Sequence, residues 1–281
     1  MMISIITINY NNSLGLKRTL DSVAVQTYCD FEHIIIDGGS TDDSVTQIQE
    51  YIKTLQKNNP LLTPKVFWSS EADKGIYDAM NKGIDKARGE YCLFLNSGDM
   101  LANLHVLEEV FLSGMKASII CCNSIYLSSI YHKQKLVESP SRIIASDLIL
   151  SFLPHQSSFI KKELFNKIHK YDTEFKIISD WLFFIEALLS YNESYQHIPI
   201  VVSHCETEGI SNNPQNCNLM DEEFNKGLRK IMPLFADDYI ELKNLRKEVS
   251  SPFYNFVKRI KNSLWFRIIW KVYKIKDKYS K

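Results

Sequence analysis

The chain has 281 residues, 45% of them hydrophobic, enough apolar material for a full core and too much for a disordered chain. Its formal net charge is zero, with cations gathered at one end: Lys258 to Lys281 holds nine Lys or Arg and one acid, Asp277, so no nucleic-acid partner is expected. Six cysteines, Cys29, Cys92, Cys121, Cys122, Cys205 and Cys217, form no CxxC pair and no metal-finger spacing, the usage of reduced thiols in a cytosolic chain.

The opening "MMISIITINYNN" lacks the basic segment and long apolar run of a signal peptide. No stretch of about 20 uninterrupted apolar residues follows, so neither secretion nor membrane crossing is expected. In chain order, "ISIITI" (3–8), "HIIIDG" (33–38), "KVFWSS" (65–70) and "EYCLFLN" (90–96) read as strands, and their consecutive apolar positions suit a sheet covered on both faces. Between them, Leu16, Leu20 and Val23, then Val45, Ile48 and Ile52, then Ile76, Met80, Ile84 and Ala87 recur at helical spacing. Asp42 is placed to cap the second of these helices. The alternation predicts an α/β fold with a doubly wound, mostly parallel sheet over about residues 1–100. Residues 101–215 are less regular: a helix near 103–115, a strand at "ASIICCNSIY", the segment "LPHQSSFIKKELF", and a helix starting at "ISDW". From 216 onward the chain reads as a helical extension broken at Pro233 and Pro252.

Ligands of open α/β sheets bind beyond the carboxyl ends of the strands. The residues there are "NYNN", "DGGSTDD", "SEADKG" and "NSGD". None carries GxGxxG or GxxxxGK[ST], which counts against a dinucleotide dehydrogenase and a P-loop NTPase. Four polar strand ends on one edge suit a nucleotide crevice, with Asp37 accepting from a base and Tyr10 giving a stacking surface. A turn acceptor at position 37 and plain packing at position 10 explain the pattern equally well. Asp99 stands alone at the tip of "NSGD". A divalent cation already bound to a diphosphate needs few protein ligands, so one aspartate suffices. Asn96 can lend a neutral oxygen or orient Asp99, and Gly98 admits close backbone; a capped turn before the next helix is the alternative.

Taken together, "SIITINYNN", "HIIIDGGSTDDS", "SEADKGIYDAMNKGIDKARGEYCLFLNSGD" and "ISDW" resemble the family 2, GT-A-fold glycosyltransferases that build bacterial surface polysaccharides, over about residues 1–215. The resemblance implies that Thr7, Asn9 and Tyr10 line the nucleoside pocket and that Asp37 contacts the base. It implies further that Asp73, Lys74, Asp78 and Asn81, with Asn96, Ser97 and Gly98, lie on the donor side. Asp99 matches the last aspartate of the family's DxD-type motif, which holds Mn²⁺ or Mg²⁺; Asn96 and Gly98 stand where acids are common. Asp180 matches the family's catalytic base, although Ser179 and Asp180 at a helix start also fit a cap. His155, Gln156 and Trp181 fall on the acceptor side, with a structural histidine as the alternative for His155. His204, in "SHCETEGIS", is a further candidate for the metal or diphosphate.

In the tail, Leu264, Ile268 and Val272 recur at helical spacing beside Arg267, Lys271, Lys274 and Lys278. Such a stripe suits an anionic membrane surface, with a helix packed on the protein as the alternative. The expected molecule has a nucleotide-sugar-binding half (1–100), an acceptor-binding half (101–215) and a helical extension (216–281). Its expected function is inverting, metal-dependent transfer of a hexose or N-acetylhexosamine from a UDP-sugar to a lipid-linked glycan, on the cytoplasmic side of the membrane. A non-catalytic nucleotide-sugar-binding subunit is the rival. A sugar-nucleotide pyrophosphorylase is disfavoured, because "NYNNS" offers no glycine-rich phosphate loop.

Overall fold

The computed structural model describes residues 2–58, 65–128, 133–150, 152–207, 209 and 213–251, together with 255 and 259. Strands β1 (Ile3–Asn9), β2 (Phe31–Asp37), β3 (Val66–Ser70) and β4 (Tyr91–Phe94) form the expected parallel array in the order β3-β2-β1-β4. Helices α1 (Ser13–Ala24), α2 (Ser44–Asn58) and α3 (Ile76–Lys86) make the crossovers. Asp42 does more than expected. Its carboxylate accepts from the N–H of Ser44 at 3.0 Å and from that of Ser13 at 2.9 Å, so one side chain serves the starts of both α1 and α2.

Both sheet faces are covered. On one, Ile3, Ile5, Ile35 and Leu93 pack with Leu16, Leu20 and Val23 of α1, Ile48 and Leu55 of α2, and Val106 and Val110 of α4 (Val106–Leu112). His33 lies in this layer, fully buried, between Thr7 Oγ1 at 2.9 Å and the Tyr51 hydroxyl at 2.8 Å. Burial pushes its imidazole down to about 3, so it is a neutral core group. On the other face α3 presses on β1 at Gly83, where a Cβ would stand 2.4 Å from Ile6 Cγ2.

The second half of the sheet was only partly legible. It contains β5 (Met100–Leu101), β6 (Ile119–Ser128), β7 (Lys133–Val137), β8 (Ser158–Lys161) and β9 (Tyr195–Glu206). The sheet order is β3-β2-β1-β4-β8-β6-β9-β5, with β7 paired to β6. β8 runs antiparallel to both β4 and β6, while β9 runs parallel to β6. Short helices α5 (Ala145–Leu150), α6 (Leu164–Lys167) and α7 (Ser179–Ile185) complete this half. α7 packs through an aromatic cluster in which Phe183 stacks on Phe165, with ring centroids 4.7 Å apart.

Two further helices follow, α8 (Cys217–Ile231) and α9 (Ala236–Ser250), with Pro233 between them as expected. The chain divides into compact units Met1–Gly227 and Leu228–Lys281, the division falling within α8. In the second unit Arg229 pairs with Asp237 at 2.8 Å. Pro252 and the cationic stripe from Leu264 to Lys278 lie outside the described residues. Among the described residues no helix is long and apolar enough to cross a membrane.

The contact at Gly83 gives a stability test. Alanine there gains up to about 1 kcal/mol of helix propensity but overlaps buried Ile6, and overpacking costs about 1–3 kcal/mol. Overlap with a fully buried branched side chain outweighs the propensity gain, so Gly83→Ala is expected to lose up to about 2 kcal/mol, read as a lower urea midpoint at unchanged slope.

Candidate active site

The parallel register sets Asn9, Asp37 and Ser70 side by side at the carboxyl ends of β1, β2 and β3. Asp37 is fully buried and accepts four hydrogen bonds. Asn9 Nδ2 (2.7 Å) and Ser40 Oγ (2.6 Å) donate to Oδ1, while the Ser40 N–H (2.9 Å) and Ser70 Oγ (2.6 Å) donate to Oδ2. Burial by itself would raise its pKa, but the donors from Ser40, Ser70 and Asn9 together hold the carboxyl below its usual range. Asp37 thus organises the turn. Its four oxygen positions are occupied by this chain's own groups, and it shapes the crevice through Asn9 and Ser40.

Tyr10 projects from the same edge, 66% exposed. Gly38 makes room for two neighbours, since a Cβ there would lie 2.4 Å from Asp73 Oδ2 and 3.3 Å from the Tyr10 ring. Asp73 also accepts from the Gly75 N–H at 2.9 Å, and Asp78 from the Lys74 N–H at 3.0 Å. Asn9, Tyr10, Asp37 and Asp73 therefore meet at one edge, with the exposed Lys74 loop beside them. Two residues expected on the donor side are engaged by the protein's own groups. Thr7 is fully buried against His33 in the helix-covered layer. Asn81 uses both ends of its amide on the backbone of Tyr171, donating to the carbonyl at 2.7 Å and accepting from the N–H at 3.0 Å.

The turn Asn96–Asp99 continues β4 and is cradled by α1. Asn12 Nδ2 donates to the Ser97 carbonyl at 3.1 Å, and Thr19 Oγ1 accepts from the Gly98 N–H and donates to the Asp99 carbonyl. Gly98 has φ +106°, and a Cβ there would stand 2.9 Å from Glu206 Oε2. This position favours glycine on both counts. Glu206 itself pairs with Arg18, and His204 sits two residues earlier on β9, in register with Met100. Asp99 is 6% exposed. Burial pushes its carboxyl up to about 7 against the pull of His155, with the Glu206 charge adding to the rise.

Asp180 opens α7. The loop ahead of it is tied down by Glu223 of α8, which accepts from the N–H groups of Lys176 and Ile177 at 2.8 and 3.0 Å. Tyr77 of α3 donates to Asp180 Oδ1 at 2.7 Å, and His155 Nδ1 lies 3.0 Å from Oδ2. His155 Nε2 in turn lies 3.4 Å from Asn96 Nδ2. Burial would raise the Asp180 pKa, but the hydrogen bond and charge of His155, then Tyr77, hold it low. Burial would lower His155, but Asp180 and Asp99 raise it. His155 thus contacts Asp180 directly and feels the charge of Asp99. His155 belongs to a one-turn 3-10 helix, His155–Ser157, anchored through Ser157 Oγ to Ser203 Oγ (2.7 Å) and the Asn123 carbonyl (2.9 Å). The Gln156 Oε1 atom beside it is buried without a partner. Trp181, expected on the acceptor side, is 2% exposed, donates to the Leu148 carbonyl at 2.6 Å and stacks on Phe224 at 4.6 Å. It is a core pillar.

Sequence reading missed Tyr77, Glu206 and Glu223. Tyr77 and Glu206 were within reach, since they stand in the quoted "DKGIYDAM" and "SHCETEGIS" runs; Glu223 carries no local signal.

Among the described residues no three His, Cys, Asp or Glu gather as a metal cage. Asp99 offers one buried carboxylate with hard oxygen donors. That suits a hard cation whose remaining shell is phosphate and water.

The fold is that of the GT-A glycosyltransferases. S. aureus TarS 1-349 in complex with UDP superposes with a TM-score of 0.63 at 18% identity, covering 96% of this chain and 78% of that one. The chain spans 47% of the longer TarS structure. The mannosyltransferase PcManGT from Pyrobaculum calidifontis, in complex with GDP-Man and Mn2+, gives a TM-score of 0.61 at 16% identity, covering 86% and 69% of the two chains. The chain belongs to glycosyl transferase family 2, whose model matches residues 4–175. A PGL/p-HBAD biosynthesis glycosyltransferase of Mycobacterium bovis (strain BCG / Pasteur 1173P2) is 31% identical over 234 residues, 81% of this chain and 84% of that protein.

Asp37 supplies a pH test. Its folded pKa is depressed, so its contribution to stability is present above the unfolded carboxylate value of about 4 and is lost as pH falls through the folded value. Asp37→Asn, which cannot accept from four donors, is expected to be less stable than wild type at pH 7. The gap in denaturant midpoint should narrow on acidification below about pH 4.

Proposed function

We propose that the protein is an inverting glycosyltransferase that moves a hexose or N-acetylhexosamine from a UDP-sugar to a hydroxyl of a lipid-linked glycan, at the cytoplasmic face of the membrane, during assembly of a surface polysaccharide such as O-antigen or capsule. The observation that carries this reading is the meeting of Asp180 with the Asn96–Asp99 turn across His155. A nucleoside fits the edge formed by Asn9, Tyr10, Asp37 and Asp73, with the exposed Tyr10 ring as its stacking surface. Asp180, kept ionised by His155 and Tyr77, is in the form that accepts the proton of an attacking alcohol. Single displacement at the anomeric carbon then expels the diphosphate on the opposite side and inverts the configuration. A Mn²⁺ or Mg²⁺ ion held by Asp99 would supply positive charge to the leaving diphosphate.

The UDP in the TarS structure supports a UDP-sugar, the Mn2+ in PcManGT supports a divalent metal, and the M. bovis relative's biosynthetic designation supports glycan assembly. The lipid-linked acceptor and the membrane face rest on the cationic tail of the sequence and its apolar residues at helical spacing, with Trp265, Phe266 and Trp270 among them.

Two measurements test the reading. With donor and acceptor found by screening, Asp180→Asn is expected to lower transfer by about 10²–10⁴-fold, and Asp99→Ala to abolish the response to added Mn²⁺. The reading is falsified if both folded variants transfer at the wild-type rate. Donor binding without transfer or donor hydrolysis, across metals and acceptors, would instead identify a non-catalytic nucleotide-sugar-binding subunit. For the tail, the full chain is expected to float with anionic liposomes and a chain shortened to Ser251 to remain behind; equal flotation removes the membrane partner.

A further inference from the structure

Besides the Trp181 N–H at the start of its own helix, the Asp180 carboxylate is held by two side chains that connect it to the donor half. Tyr77, on the helix that follows the donor loop, donates to Asp180 Oδ1 at 2.7 Å. His155 reaches Oδ2 at 3.0 Å through Nδ1, and its other nitrogen faces the amide of Asn96, 3.4 Å away, at the start of the donor turn. An ionised carboxylate only accepts hydrogen bonds, so the His155 nitrogen beside Asp180 must carry a proton. The opposite nitrogen then takes its partner from position 96. An amide can present either a donor or an acceptor there by rotating end for end, and its two orientations are exchanged without changing shape. A carboxylate in the same place could only accept.

We propose that His155 is a positioning residue for Asp180 and that Asn96 orients it, so that position 96 acts on the acceptor-side base through the imidazole and not on the cation. The chain Asn96–His155–Asp180–Tyr77 links the donor turn to the base as one hydrogen-bonded unit. This inference rests on Asp180 being the base, and its readouts are chosen to separate the two.

The first readout needs no turnover. In ¹⁵N spectra of the histidine rings, with His155 assigned from a His155→Gln sample, Nδ1 is expected to carry a proton. Asp180→Asn should shift Nδ1 and Asn96→Ala should shift Nε2. A bare Nδ1, or a His155 ring indifferent to Asn96→Ala, overturns the proposal whatever the chemistry of Asp180.

The second readout is kinetic. His155→Ala is expected to lower kcat by about 100-fold, within the range for a base and its support. Donor KM, and UDP affinity measured by calorimetry with Mn²⁺, should stay within about threefold. His155→Asn, which returns a donor near Nδ1, should recover about tenfold of that loss. Asn96→Ala combined with His155→Ala should be no worse than His155→Ala alone, since Asn96 acts through the ring. Asn96→Asp discriminates most sharply: kcat is expected to fall about tenfold with UDP–Mn²⁺ affinity unchanged or higher. Additive losses, or Asn96→Asp raising transfer, would assign position 96 to the cation and sink the inference. Should Asp180→Asn keep full activity while the ring still responds to it, the hydrogen-bonded chain stands and the base assignment falls.

Discussion

A single buried carboxylate closes the working edge of the sheet. Asp37 sits at the end of β2 with β1 and β3 on either side, and it gathers Asn9, Ser70 and Ser40 onto its two oxygens. A buried charge is tolerated only where hydrogen bonds replace its lost water. Here four donors from three neighbouring segments do so, and the three strand ends become one rigid ledge. Gly38, immediately after it, lets Tyr10 and Asp73 close over that ledge. The crevice is therefore built by the same interaction that terminates the strands.

The second ledge, Asn96–Asp99, depends on α1. Asn12 and Thr19 take up its backbone groups, while Asp42 ties the start of α1 to that of α2. The carboxyl group of Asp99 is thus buried by a well-bonded scaffold, and its raised pKa is a consequence of that burial. The site concentrates two carboxyl groups with opposite tendencies. Asp99 is pushed toward neutrality by desolvation, and Asp180 is kept ionised by His155 and Tyr77.

The first hundred residues were legible because their strands are buried on both faces and their helices have one apolar side. Each pattern is local, and the structure returns β1 to β4 and α1 to α3 close to the expected places. β9 was not legible. Pro199 interrupts "YQHIPIVVSHCE", an argument against a strand, yet the sheet absorbs it in a register shift opposite Cys121–Asn123. β7 is short and its residues are largely exposed, so it has no apolar signature. The site residues divide the same way. Asp37, Asp99 and Asp180 announce themselves by standing at the ends of apolar runs. Thr7, Asn81 and Trp181 stand equally near such ends, and only their partners, His33, Tyr171 and Leu148, reveal structural roles.

The sequence by itself determined the parallel half of the sheet and the polar strand ends with their carboxylates, because burial periodicity and turn chemistry are written within about ten residues. Only the tertiary structure decided that β8 lies between β4 and β6, which carries His155 to Asn96 and Asp180. It likewise decided that Tyr77 reaches Asp180 and that Glu223 ties down the loop ahead of it, from segments far apart in the chain. Those contacts follow from strand order and from directed hydrogen bonds between distant segments. Neither leaves a trace in residue spacing, since a donor and its acceptor are matched by geometry in space and not by their separation along the chain.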